Sequence, residues 1–149
     1  MALIELPIHL PGFDVSEIME HENGIEIWAS STQLEAVCPI CDAVSRNVHS
    51  YYQPAPDDLP VLDKSLRLRL TVKRFRCQNE ACSKSTFVEQ MPELIVRYAR
   101  RTNRLNTALE VVAFALGGQA GSRLASKLKL PVGRNTLLRI VRRSPARPA

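Results

Sequence analysis

Residues 64–77 read KSLRLRLTVKRFRC, and polar and apolar side chains alternate from Ser65 to Lys73. A period of two residues is typical of a β-strand with one face buried and the other exposed. The predicted inner face carries only aliphatic side chains, namely Leu66, Leu68, Leu70 and Val72. The predicted outer face carries Arg67, Arg69, Thr71 and Lys73. We therefore predict a long strand that leads directly into a cysteine.

Two segments upstream have a similar character. Residues 23–30, NGIEIWAS, begin with an Asn-Gly turn and then show the same alternation. Residues 46–52, RNVHSYY, form a second candidate strand. Residues 51–61, YYQPAPDDLPV, contain three prolines and are predicted to form a loop. The front of the chain is thus predicted to be rich in β-structure.

The four cysteines occur in two short pairs. Two residues separate Cys38 from Cys41, four separate Cys77 from Cys82, and 35 residues lie between the pairs. Two cysteine turns that converge on one point supply four thiolates, which is the ligand set of a structural Zn²⁺. Four protein ligands leave no open position for a reacting water, so a catalytic metal is not expected. We predict one structural zinc ion per chain in a zinc-ribbon-like fold.

Other interpretations of the thiols stay open at this point. A redox Cys-x-x-Cys pair would use Cys38 and Cys41 alone and would lie at a helix N-terminus, but no helical pattern follows Cys41. The thiols could instead carry no metal. His49 could replace one ligand, although it is an ordinary strand residue if all four cysteines bind.

The charge of the chain is unevenly distributed. Residues 1–60 carry ten acidic and one basic residue, whereas residues 61–149 carry nineteen basic and five acidic ones. A half with so many cations predicts phosphate backbones as a partner. The alternative is an ordinary solvated basic surface.

Length and composition limit the class of protein. The chain has 149 residues, of which 45% are hydrophobic, which suits one ordinary domain or two small ones. Neither a signal peptide nor a membrane span is recognisable. We therefore expect a cytoplasmic protein, whose reducing surroundings favour metal-bound cysteines over disulfides.

The hydrophobic period changes to that of helices after residue 100. A first helix is predicted from Leu105, Leu109, Val112 and Leu116, with Thr102 as N-cap and Gly117 and Gly118 as its end. A second, residues 119–130, should close near Pro131, and a third should cover residues 132–143. We predict that Leu124 and Leu128 face a core and that Ala125 allows the last two helices to cross closely.

These last two helices have the arrangement of a helix-turn-helix. The third helix places its polar side chains on one face, and we expect Asn135, Thr136 and Arg139 to read base edges. Phosphate contacts are expected from basic residues around it and in the preceding linker. The candidate DNA-binding residues are Asn135, Thr136, Arg139, Arg142, Arg143, Arg100, Arg101, Arg104, Ser122 and Arg123.

The order of these features resembles the N-terminal region of the ISL-three family of bacterial insertion-sequence transposases. The resemblance rests on CPICD, SRNVHSYY, DDLPV, LRLRLTVKRFRCQNEACSKSTFVE, YARRTNRL and LGGQAGSRLASKLKLPVGRNTLLRIVRR, between residues 37 and 143. It implies a zinc-binding domain and a helix-turn-helix that together bind the terminal inverted repeats of the element.

The sequence departs from that family in one respect. Such transposases continue into a catalytic domain with an Asp, Asp, Glu triad, whereas beyond Cys82 this chain has only the carboxylates Glu89, Glu93 and Glu110. We therefore expect a DNA-binding protein and not an enzyme. The alternatives are one part of a split or frameshifted active transposase, with a separate catalytic polypeptide as partner, and a zinc-ribbon protein-interaction module or transcriptional regulator. A homodimer is also possible.

The predicted architecture is α+β. A β-rich zinc-ribbon-like domain is expected over residues 1–92 and a three-helix helix-turn-helix domain over residues 93–143. Residues 144–149 are expected to form a disordered tail.

Overall fold

A computed structural model describes residues 10–130 and 132–143. The predicted tail, residues 144–149, and the predicted helix end at Pro131 lie outside the described residues. Within them, eight strands precede two helices. The elements are β1 (Phe13–His21), β2 (Gly24–Ser31), β3 (Ala36–Val37), β4 (Val44–Ser45), β5 (Val48–Tyr52), β6 (Asp57–Val61), β7 (Lys64–Arg76), β8 (Thr86–Val88), α1 (Asn103–Lys127) and α2 (Arg134–Arg143).

The long strand β7 organises the sheet. Its N-terminal half pairs in parallel with β2 and antiparallel with β6, and its C-terminal half pairs antiparallel with β5 and β8. The edge strand β1 pairs with β2 through a hairpin whose turn is Glu22–Asn23, so the predicted Asn-Gly turn is shifted by one residue and Gly24 begins β2. The predicted alternation is confirmed, because all four aliphatic side chains of the inner face are buried. They pack against Ile27 and Ala29 of β2 and against Met91 and Leu94, which follow β8.

Several of the strands were not predicted. The alternation of β1 is interrupted by an irregularity between Val15 and Glu17, and β3, β4 and β8 have only two or three residues each. The loop prediction for residues 51–61 is wrong in part, because Asp57–Val61 forms β6. This strand contains Pro60, and proline is tolerated where no ladder hydrogen bond from its nitrogen is needed.

The predicted three-helix helix-turn-helix domain is wrong, since the described C-terminal region contains two helices. The first two predicted helices are one element, α1, which is kinked at Gly117. Gly117 alone leaves the helical conformation, with φ 73° and ψ −160°, a region open essentially only to glycine. The helical geometry therefore breaks at Gly117, one of the two glycines predicted to end the first helix, and resumes at Gly118 within the same element. The last predicted helix is present as α2.

Individual features of the helices can be compared with the expectations. The N-cap is confirmed, because Thr102 Oγ1 accepts a hydrogen bond from the Leu105 amide at 3.3 Å. The predicted core positions Leu124 and Leu128 are wrong, since they are 39% and 49% exposed. After the kink, the buried face is formed by the small residues of α1, so that Ala125 is buried as predicted.

Small residues allow α1 and α2 to approach closely. A Cβ at Gly121 would lie 3.0 Å from Leu137 Cδ1, and one at Gly118 would lie 2.9 Å from Arg134 Cγ. Leu137 is fully buried and belongs to the core shared by the two helices. The remaining buried members of this core are Leu105, Leu109, Ala113, Ala125 and Leu130.

The sheet and the helices contact each other at β6. The Asp57 amide donates to the Arg100 carbonyl at 2.9 Å, and the Thr102 amide donates to the Asp57 carbonyl at 3.0 Å. The side chain of Leu59 packs against the helical core. The start of α1 is thus attached to the sheet, while the proposed domain boundary at residues 92/93 stays a prediction.

No helix within residues 10–130 and 132–143 combines the length and the apolar character needed to cross a bilayer.

Candidate metal centre and nucleic-acid interface

The first cysteine pair lies in the hairpin between β3 and β4. The Cys38 amide donates to the Ala43 carbonyl at 2.9 Å, and the Asp42 amide donates to the Cys38 carbonyl at 3.0 Å. Asp42 adopts a left-handed conformation with φ 61°, which polar residues such as aspartate tolerate in tight turns. This turn brings the side chains of Cys38 and Cys41 to the same side of the hairpin.

The second pair lies between β7 and β8. The Cys77 amide donates to the Ser85 carbonyl at 2.9 Å, and the Cys82 amide donates to the Asn79 carbonyl at 3.0 Å. The Lys84 amide also approaches Cys82 Sγ at 3.5 Å. Because β7 ends beside the first hairpin, this wider turn faces Cys38 and Cys41.

The four sulfur atoms have the spacing of a zinc site. Cys38 Sγ lies 3.9 Å from Cys82 Sγ, Cys41 Sγ lies 3.5 Å from Cys77 Sγ, and all four lie within 4.8 Å of one another. Four sulfurs at about 2.3 Å from a tetrahedral Zn²⁺ are about 3.8 Å apart. The residues therefore fit one structural Zn²⁺, as predicted. His49 is exposed, and its ring contacts Ser50 Oγ at 3.0 Å.

The thiols differ in acidity because their surroundings differ. The backbone at Ala43 lowers the pKa of Cys41 to about 7. The backbone at Asn79 also lowers the pKa of Cys77, but burial and the neighbouring thiols outweigh it and raise this pKa to about 12. Four thiolates so close together require a cation, so we expect metal binding to release protons from the site.

The metal site rests on an apolar layer. The rings of Phe75 and Phe87 stack with their centroids 6.0 Å apart, and both rings are buried. Cys38 belongs to the same cluster and is fully buried. Such a small core cannot stabilise the surrounding turns alone, so the metal is expected to contribute much of the local stability.

A second feature is a cleft of about 360 Å³ between the segment preceding α1 and the outer face of α2. The preceding segment contributes Tyr98, Ala99, Arg100 and Arg101, and α1 contributes Asn106. The residues contributed by α2 are Thr136, Arg139, Ile140 and Arg143.

The cleft is strongly cationic. Arg100, Arg101, Arg139 and Arg143 line it, and no acidic side chain is found among its described lining residues. Within the described chain, none of these four arginines forms an ion pair with a carboxylate. Unpaired guanidinium groups that converge in this way suit the bidentate binding of phosphate oxygens.

Five of the ten candidate DNA-binding residues thus come together, and the others lie elsewhere. Asn135 and Arg142 are exposed on α2 outside the cleft, and Arg123 is exposed on α1. Ser122 Oγ donates to the Val132 carbonyl at 3.1 Å, which connects α1 to the segment before α2. Arg104 binds the carboxylate of Asp58, with Nε at 2.7 Å from Oδ1, so its charge is already compensated.

Sequence reasoning missed four residues of the cleft, Tyr98, Ala99, Asn106 and Ile140. Tyr98 lies among the linker arginines, and an aromatic ring among basic residues is a pattern that could have identified it. Asn106 follows Thr102 by one helical turn, and nothing in the sequence distinguishes it from other polar residues of α1.

The fold and the metal centre define a zinc ribbon, in which two cysteine turns at the ends of strands hold one Zn²⁺. Residues 35–82 match the family model for the zinc-finger of transposase IS204/IS1001/IS1096/IS1165. The matched segment contains all four cysteines and ends before the helices. No curated protein and no solved structure is significantly similar to the chain.

Proposed function

We propose that the protein binds double-stranded DNA, and that its target is the terminal inverted repeats of an insertion sequence. The observation that carries this proposal is the cleft, in which four unpaired arginines from two separate segments face one another. The transposase-type zinc ribbon that precedes it supports the same conclusion.

The proposal assigns different tasks to the residues of the cleft. Arg100 and Arg101 lie on the segment before α1 and bind phosphates, which positions the protein without reading sequence. Thr136 and Arg139 lie in the first two turns of α2, where side chains can reach base edges. Arg143 lies one turn further along and binds a further phosphate.

In this proposal the described residues bind DNA and do not cleave it. Within residues 10–130 and 132–143, the cysteine cluster is the group of His, Cys, Asp or Glu side chains that could hold a metal ion. Four thiolates close a zinc site, whereas two-metal strand cleavage uses clustered carboxylates with open positions. Strand cleavage, where it occurs, is assigned to other residues.

The test is a titration with two duplexes at fixed salt. One duplex is selected from a random-sequence pool by the zinc-loaded protein itself, and the other is a scrambled version with the same composition. Arg139→Ala is expected to weaken binding to the selected duplex by about 5- to 150-fold and to affect the scrambled duplex much less, because a bidentate base contact discriminates by about 1–3 kcal/mol.

The double variant Arg100→Ala/Arg101→Ala should instead weaken both duplexes. The slope of log affinity against log salt concentration should fall by about 0.9 for each phosphate that the variant no longer binds. Lys64→Ala is the matched control for Arg139→Ala, because each substitution removes one cation. Lys64 pairs with Glu20 and lies away from the cleft. An absence of binding to both duplexes, or equal effects of Lys64→Ala and Arg139→Ala, would contradict the proposal.

A further inference from the structure

A second, larger cavity of about 620 Å³ adjoins the cationic cleft. The segment from Tyr98 to Arg101 lines both spaces, so it forms a wall between them. A DNA strand whose phosphates lie on Arg100 and Arg101 would therefore lie beside this cavity. The inference below rests on the proposed DNA-binding function.

The cavity lining combines apolar and polar side chains. Its apolar side is formed by Leu70 and Val72 of β7 together with Met91 and Ile95. Arg97, Arg100 and Arg101 also line it, as does Arg67, which is paired with Asp57 of the same lining. Its volume is within the range of about 300–1,000 Å³ that is typical of ligand-binding cavities.

Tyr98 is held in an unusual position beside this cavity. Its backbone has φ 61°, which is rare for a bulky residue and often marks a functional position. Its side chain is 79% exposed, and the guanidinium carbon of Arg97 lies 4.7 Å from the ring centroid. Arg97 Nη2 also donates to the Tyr98 hydroxyl at 2.9 Å. The exposed ring is thus oriented by Arg97 and is available for stacking.

Glu89 is a second unusual group of the cavity lining. It is 4% exposed, and its Oε1 accepts a hydrogen bond from the Lys73 amide at 2.8 Å. Its Oε2 is buried and has no hydrogen-bond partner among the described residues. An unsatisfied buried carboxylate oxygen calls for a donor, and nucleobases carry amino and imino donors on their edges.

We propose that this cavity receives one unpaired base of the bound DNA, which stacks on Tyr98 while its flanking phosphates lie on Arg100 and Arg101. Stacking of a base on an aromatic side chain is favourable for every base because each has a π-face. An unpaired base has also already lost the pairing energy that a paired base would have to give up on leaving the helix.

The test compares three duplexes that differ at one position. The first is fully paired, the second carries one extra unpaired adenine, and the third carries an abasic nucleotide in place of that adenine. The abasic duplex has the same local flexibility without the base. Zinc-loaded wild-type protein is expected to bind the adenine duplex about 5- to 150-fold more tightly than the abasic duplex.

Variants assign this preference to the cavity. Tyr98→Ala should reduce the adenine-to-abasic affinity ratio to near one, whereas Tyr98→Phe should retain it because the ring is kept. Arg143→Ala should weaken all three duplexes and leave the ratio unchanged. Circular dichroism and zinc content show whether each variant is folded.

Three results would overturn the inference. Equal affinity for the adenine and abasic duplexes, with DNA binding intact, would remove the base site but leave the proposed function standing. Micromolar binding of free deoxyadenosine monophosphate without any preference among the duplexes would indicate a site for a free nucleotide. A failure to bind any duplex would remove both proposals together.

Discussion

Asp58 is a buried carboxylate that connects the sheet to the first turn of α1. Its Oδ1 accepts hydrogen bonds from Thr102 Oγ1 and from Arg104 Nε, each at 2.7 Å, and from the Leu59 amide at 2.8 Å. Burial opposes ionisation, but the hydrogen bonds from Arg104, Thr102 and Leu59 outweigh it and lower the pKa of Asp58. Arg104, which follows the N-cap by two positions, thus stabilises the fold.

At the residue scale we predict that Asp58→Asn destabilises the fold. The substitution removes the charge that Arg104 binds, and we expect the free energy of unfolding to fall by about 1–3 kcal/mol, since Arg104 is partly solvated. Urea unfolding of zinc-loaded protein measures the change. Asp57→Asn is the matched control, because Asp57 pairs with the exposed Arg67 and should contribute less than about 1 kcal/mol.

The pH dependence of this contribution has a defined sign. Because the folded-state pKa lies below the ordinary value of 3.8, the ionised carboxylate stabilises the folded state above that pH. Its contribution is lost as the pH falls through the folded-state pKa. The difference between wild type and Asp58→Asn should therefore be constant from about pH 7 to about pH 5 and shrink below about pH 4. A difference that grows on acidification would contradict this assignment.

At the scale of elements, the kink in α1 decides how the helices pack. In a straight helix the second half would continue in the direction of the first half. The break at Gly117 gives the second half of α1 a different direction. Gly118 and Gly121 then meet α2 closely enough that added Cβ atoms would contact Arg134 and Leu137.

We predict that Gly117→Ala destabilises the helical region. Alanine cannot readily adopt φ 73° and ψ −160°, so the free energy of unfolding should fall by about 1–3 kcal/mol. Gly133→Ala is the control, since Gly133 lacks positive φ and a Cβ there would meet nothing within 4 Å. Its effect should stay within about 1 kcal/mol. Equal stability of the two variants would show that the kink is not needed for packing.

At the scale of the whole molecule, residues 10–130 and 132–143 form two apolar cores besides the small cluster under the metal. One lies between the sheet and the segment around Met91, and the other lies between α1 and α2. The metal-proximal cluster has only three buried members, Cys38, Phe75 and Phe87. Dependence on zinc should therefore be greatest around β3, β4 and β8.

We predict that zinc removal unfolds the ribbon before the helices. One equivalent of Zn²⁺ should co-purify with the reduced protein, and Cys77→Ser should lose it, because structural zinc contributes about 10 kcal/mol or more of folding free energy in small domains. After chelation, amide hydrogen exchange should accelerate in β3, β4 and β8 more than around Leu109. His49→Ala should retain one equivalent. An intact fold with less than half an equivalent of tightly bound zinc would contradict the prediction.

Local patterns were sufficient for part of the fold. The alternation around Leu68 predicts β7, the spacing of the cysteines predicts the metal site, and the polar side of residues 134–143 predicts the exposed face of α2. Thr102 was likewise recognisable as an N-cap. The strand, the helix face and the N-cap depend on residues that are close in sequence. The metal site depends on two short cysteine pairs, which supply the four ligands of a tetrahedral zinc ion.

Other features depend on partners that are distant in sequence. β6 forms because β7 offers an edge at which Asp57 and Asp58 can pair, and the exposure of Leu124 follows from the direction that α1 takes after Gly117. The sequence predicts Arg104 as a phosphate ligand, whereas the structure shows that it binds the carboxylate of Asp58. The hydrophobic period cannot reveal such contacts, because it reports which side of an element is apolar and not what lies opposite.

The sequence by itself therefore determined the zinc ligands, the main strand and the cationic character of the C-terminal half. Only the tertiary structure decided which cations act together, because the cleft forms where the segment Tyr98–Arg101 is attached to β6 and comes to lie against α2. Charge is a property of composition, whereas the convergence of charges depends on how the backbone of β6 and the packing of two helices place those residues in space.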